Sequence, residues 1–163
     1  MDKTKVSYKA IAILAAINKA GEVVALLMNE KSIKRDQFLT FLKKLHRVYK
    51  GEAVTLYLDN LKMHYNPDVK NRAHEYNFEL IYAPIYTSPY MPIERLWLFG
   101  KFSFRKRCLL DADYSNQKSI EKLIEECVLN VSSVTMRKKV LSCIEEMKKE
   151  LVRLEYREPE PKP

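Results

Sequence analysis

Val54-Thr55-Leu56-Tyr57-Leu58-Asp59-Asn60, with His64 four residues beyond, reads as a short strand that ends on a carboxylate. Its first five residues are nearly all apolar, the pattern expected of a strand buried on both faces. Downstream, Asn66-Pro67 reads as N-cap and first residue of a helix to about Tyr76, and Phe78–Tyr82 as the next strand. Pro84 and Pro89 hold an extended loop, and Pro92 opens a helix that carries Glu94 and the only tryptophan, Trp97. Asp59 and Glu94 are separated by 34 residues, one at a strand end and one on a helix. Such carboxylates can converge on hard cations, which favour oxygen ligands. Two such metals can clamp the attacking and leaving oxygens of a phosphoryl transfer.

Upstream, Val6–Ala16 and Val23–Met28 read as a hairpin joined by Asn18-Lys19-Ala20-Gly21, with Gly at a positive-φ position. Ser32 can cap a helix from about Ile33 to Tyr49, where Phe38, Phe41, Leu42, Leu45 and Tyr49 form an apolar stripe. The order hairpin, helix, strand, helix, strand, helix predicts an α/β fold with a mixed sheet, placing Asp59 at the carboxyl end of a parallel strand. Ligands in open α/β sheets collect at such ends.

The C-terminal third is helical. Ile120, Leu123, Ile124, Cys127 and Val128 make one amphipathic face. Val140, Ile144, Met147, Leu151 and Leu154 make a short heptad seam that can pack on the domain or on another chain. The expected organisation is a domain over 1–107, a helical extension over 108–156 and an extended Pro-rich tail over 157–163.

The 163 residues suit one domain with a real core, and 47% hydrophobic with 31% charged residues is a globular composition. No apolar run approaches a bilayer span and no signal-peptide pattern opens the chain. Three cysteines without metal-ligand spacing predict reduced thiols, hence an intracellular protein, nuclear if eukaryotic. A net charge of +8 favours polyanion partners, although solvated lysine-rich helix faces would give the same sum.

The segments around Asp59 and Glu94 resemble the catalytic domain of mariner-type DDE transposases and their bacterial insertion-sequence relatives. That family has a hydrophobic strand ending in Asp-Asn with a His shortly after, matched by Leu58-Asp59-Asn60 and His64. It also carries a Pro-x-Tyr-Ser-Pro-x-x-Asn-Pro-Ile-Glu-x-x-Trp signature, matched over Pro84–Trp97, with a trailing lysine at Lys101. The likeness covers roughly residues 6 to 107 and departs from the family at Met91, where Asn is usual, and at Ser88-Pro89, where the Pro is shifted one place.

The resemblance implies a ribonuclease H-like mixed sheet flanked by helices, metal-dependent DNA cleavage and strand transfer with Mg²⁺ or Mn²⁺, and Asp59 and Glu94 as catalytic metal ligands. It also implies three carboxylates, the first on the sheet's opening strand. The hairpin matches the family's second and third strands, so that opening strand lies before Met1. Asp2 is the only acid upstream of the hairpin, and Met1–Lys5 is too short and polar for a central strand. The expectation is therefore a transposase-derived domain, catalytically incomplete in this chain. The alternative is a domesticated non-catalytic structural or nucleic-acid-binding subunit of a larger assembly. A sheet lacking its first strand exposes an edge, so a second protein chain is expected along the hairpin.

DNA is the other expected partner. His64 could contact phosphate or orient a water, or be a packed histidine. Lys101, Arg105, Lys106 and Arg107, interleaved with Phe102 and Phe104, could track DNA phosphates, or form a helix with aromatics inward and bases in water. His46 and His74 read as structural, and Trp97 as core.

Overall fold

The computed structural model describes residues 9–84, 90–110 and 116–155. Asp2, the start of the expected first strand, the loop residues from Ile85 to Pro89 and the Pro-rich tail lie outside the described residues. The described elements run β1 (Ile11–Ile17), β2 (Val23–Glu30), α1 (Arg35–Tyr49), β3 (Val54–Leu58), α2 (Pro67–Glu75), β4 (Phe78–Tyr82), α3 (Pro92–Leu110), α4 (Gln117–Leu129) and α5 (Ser133–Glu155).

β1 and β2 form an antiparallel hairpin whose register shifts between Ala16 and Ile17. The turn is built by Asn18: its carbonyl accepts from Gly21 N at 2.9 Å, its Oδ1 accepts from Glu22 N at 2.9 Å, and its Nδ2 donates to Glu22 Oε2 at 2.7 Å. Gly21 sits at φ +83°, and a Cβ there would run into Arg137 N and the Ser133 carbonyl. Glycine is thus required twice, for the left-handed backbone and for the approach of α5 to the turn.

α1 begins two residues later than the expected Ile33. Ser32 is not its cap; Lys34 occupies that position, and Lys34 N donates to Gln37 Oε1 at 3.0 Å. Lys50 and Gly51, at φ 50° and 83°, end the helix in the left-handed region. α2 starts as expected, with Asn66 Oδ1 accepting from Asp68 N at 2.9 Å and Pro67 at the first helical position. β3 and β4 are parallel, paired from Val54 with Phe78 to Leu58 with Tyr82.

Two apolar clusters hold these pieces. One joins α1, α2 and β4 through Phe38, Phe41, Leu42, Leu45, Val69 and Phe78, with Leu14, Ala16, Val54, Leu56 and Leu58 packed on it. The other joins β2 to the C-terminal helices through Leu26, Leu96, Val128 and Met136, with Ile13, Ala15 and Ile17 packed on it. The hairpin is therefore a middle layer, with alternate β1 side chains facing opposite helical layers. The C-terminal helices pack on the hairpin through this second cluster, and α3 runs from Pro92 to Leu110.

One expectation needs correction. β3 is not buried on both faces: Thr55 and Tyr57 are exposed, as is Ile81 beside them on β4. Thr and Tyr alternate with Val54, Leu56 and Leu58, so the strand is two-faced. The described strands pair as β1 with β2, antiparallel, and β3 with β4, parallel.

Candidate metal and nucleic-acid site

Asp59 follows the last residue of β3, and Glu94 lies in the first turn of α3, started by Pro92. Both line one cavity of about 650 Å³, whose walls also include Met91, Trp97 and His64. Their side chains are at its open margin; the Asp59 side chain is 54% exposed. The two acids singled out from sequence therefore share one cleft. Met91, at the family's Asn position, is buried in the cavity wall, and its carbonyl accepts from Glu94 N at 3.1 Å at the head of α3. An apolar thioether is what that wall position needs.

His64 is placed differently from a phosphate contact. It sits on a 3-10 turn, Lys62–Tyr65, and is only 3% exposed. Its ring packs against Phe38 at 4.5 Å between centroids. Nδ1 is 3.0 Å from both the Asp59 carbonyl oxygen and Asp59 Oδ1, so Nδ1 carries the proton and donates to this residue. Nε2 is buried with no hydrogen-bond partner among the described residues. Buried there, the ring cannot reach out to DNA; it orients Asp59. Of the readings open to His64 from sequence, a phosphate contact, a water-orienting group or a packed histidine, the structure shows the packed one, and spacing of five residues could not say which way the ring turns.

Around this turn the packing is aromatic. Tyr82 and Tyr65 stack at 4.2 Å, and the Tyr82 hydroxyl donates to the His64 carbonyl at 3.1 Å. Burial, with Tyr65 beside it, pushes the Tyr82 phenol above its ordinary pKa. Tyr65 in turn donates to Asn60 Oδ1 at 2.6 Å, tying down the residue after Asp59. These tyrosines were missed in the sequence, although both flank family-like positions.

On α3, Lys101, Arg105 and Lys106 are exposed, whereas Arg107 Nη1 is engaged with Glu126 Oε2 of α4 at 2.8 Å. Phe102 does not point inward as the amphipathic alternative required; it is 70% exposed, on a stripe with Leu98 and Leu109. Trp97 is half-buried and packs on the second apolar cluster, a core position. His46 stacks on Tyr76 at 4.3 Å, a structural role.

The donor set suits a hard divalent cation in kind, since both carboxylates offer oxygen ligands at one cleft. Among the described residues, no group of three or more His, Cys, Asp or Glu side chains comes together.

The sequence matches the family of DDE superfamily endonucleases over residues 2–121. Among curated proteins, none matches it. The fold is similar to the Mos1 transposase catalytic domain, solved with raltegravir and Mg, at TM-score 0.65 and 13% identity, covering 87% of this chain and 79% of that one. A pre-cleavage Mos1 transpososome matches at TM-score 0.68 and 13% identity, over 91% of this chain but 45% of that chain. The Mos1 strand transfer complex matches at TM-score 0.66 and 14% identity, over 91% and 44%. The ribonuclease H-like reading of the fold is thus shown, and the chain spans less than half of the protein in those assemblies.

Proposed function

This chain belongs to the DDE superfamily endonucleases, and from that premise we propose that it holds two of the three carboxylates of a metal-dependent DNA-cleaving and strand-transferring site. The observation that carries this is the shared cleft: Asp59 at the end of a parallel strand and Glu94 at the head of α3 line one cavity. Asp59 and Glu94 would hold Mg²⁺ or Mn²⁺, which when bound supplies Lewis-acid stabilisation of a phosphodiester undergoing displacement. Similar structures were solved with Mg and with Mn. His64 fixes the Asp59 carboxylate through Nδ1, so that the acid is oriented before a ligand arrives. Lys101, Arg105 and Lys106 lie on the same helix as Glu94 and offer phosphate contacts beside the cleft.

Two carboxylates give a weak site, because Mg²⁺ demands near-ideal geometry and this pair supplies few of its ligands. The chain alone is therefore proposed to be catalytically incomplete. The test is nicking of supercoiled DNA with Mg²⁺ or Mn²⁺ by the wild type, Asp59→Ala and Glu94→Ala. Equal background in all three is the expected result. Wild-type activity lost in both variants would show a complete site and overturn the incompleteness.

A further inference from the structure

α3 has an exposed face that starts at Glu94. Glu94, Leu98, Phe102, Arg105 and Leu109 follow one another at steps of four, four, three and four residues, and all five are exposed. Residues at those spacings share one side of a helix. The core does not need these apolar groups, because Leu96, Trp97 and Phe99 already fill the inward side of α3 in the second apolar cluster. Phe102 is left 70% exposed, and an apolar stripe turned to water and rimmed by polar groups marks an interaction site. The charge around it sets the kind of partner. α3 carries five cations, Arg95, Lys101, Arg105, Lys106 and Arg107, against one acid, Glu94 itself. Lys101 adjoins Phe102 in the chain, and Arg105 and Lys106 stand one turn beyond it. None of these three has an ion-pair partner among the described residues.

Cations interleaved with an exposed ring suit an unpaired nucleic-acid strand, the charges taking phosphates and the ring taking the face of a base. A paired duplex cannot use the ring, because its base faces are covered by their neighbours in the stack. Phe102 lies eight residues beyond Glu94, about 12 Å along the helix. At about 3.4 Å per stacked nucleotide, that is about three to four nucleotides from the acid. Continuity with Glu94 favours a strand over an acidic protein segment, since a strand leaving the cleft runs onto this face. Resting on the proposed DNA site at Asp59 and Glu94, we infer that the outer face of α3 seats unpaired nucleotides of a DNA strand, with one base stacked on Phe102 and the neighbouring phosphates on Lys101, Arg105 and Lys106.

The test is anisotropy of a labelled mixed-sequence DNA strand, alone and annealed to its complement, titrated with the full chain in EDTA so that metal binding does not enter. Phe102→Ala should weaken the single strand at least about fivefold more than the duplex, the least that one stacked base contributes. Phe102→Trp should restore single-strand binding. Its added emission should be quenched by the strand and not by the duplex, a readout that a merely structural ring would not give. Phe102 is exposed, so both variants should keep the circular dichroism spectrum of the wild type. Equal loss on the two DNA forms, no loss on either, or unquenched emission from Phe102→Trp would overturn the proposal, while wild-type duplex binding would keep the DNA reading in place. Failure of the wild type to bind either form would overturn the DNA reading and the stacking seat together. Self-association that Phe102→Ala abolishes, with DNA binding unmoved, would assign the stripe to a second copy and also overturn the proposal.

Discussion

At the residue scale, His64 shows how a candidate ligand becomes a support. Its ring packs on Phe38, while Nδ1 donates to Asp59 and Nε2 has no partner among the described residues. Packing and hydrogen bonding can be separated by two substitutions. His64→Phe keeps an aromatic ring and removes the unpartnered buried nitrogen along with the donated bond, so unfolding free energy should change by no more than about 1 kcal/mol. His64→Ala leaves a cavity under Phe38 and should cost about 2–4 kcal/mol. Urea unfolding of both variants decides this; equal losses would mean that the bond to Asp59, not the packed ring, holds the turn. The acids were legible in sequence because a strand end and a proline-started helix are local signals. The direction of His64 was not, since it is set by Phe38 on α1, far away in the chain.

At the element scale, propensity and punctuation located most boundaries. Asn66-Pro67 started α2 and Gly21 took its positive φ, each for a reason carried by one or two residues. What failed was face assignment. Thr55 and Tyr57 looked part of an apolar run, yet they alternate with the inward Val54, Leu56 and Leu58 and stand exposed. For Phe102 the sequence left two readings open, beside bases that track DNA or inward on an amphipathic helix; the neighbours of α3 lie elsewhere and the ring is exposed, against the second. Nor could the sequence show that α5 approaches the hairpin turn. At Gly21, positive φ and contact with the α5 backbone coincide, so Gly21→Ala combines strain with collision. The expected loss is at least about 2 kcal/mol, with the strain alone worth about 1–3. Thermal unfolding measures it; a loss below about 1 kcal/mol would mean that α5 can lift from the turn freely.

At the scale of the whole molecule, the excess of cations can be assigned to a place. The chain carries 29 Lys and Arg against 21 Asp and Glu, but an overall sum does not distinguish a DNA face from dispersed solvated lysines. The structure separates the basic cluster of α3 into three exposed cations, Lys101, Arg105 and Lys106, and one, Arg107, paired with Glu126. Counterion release gives each phosphate contact a signature: the logarithm of affinity falls with the logarithm of salt at a slope of about −0.9 per contact on duplex DNA. If the three exposed cations track phosphates beside Glu94, the variant K101E/R105E/K106E should show a slope shallower by about 3, and much weaker binding at low salt. Arg107→Glu should mainly disturb the α3–α4 junction, costing less than about 1 kcal/mol through a half-exposed pair. Fluorescence anisotropy of a labelled duplex, titrated between about 50 and 200 mM salt, reads the slope directly. An unchanged slope in the triple variant would move the DNA path away from α3. The C-terminal half of the helix that carries Glu94 would then not serve as the basic flank of the cleft, leaving Arg95 beside Glu94 as the exposed cation of that helix nearest the acid.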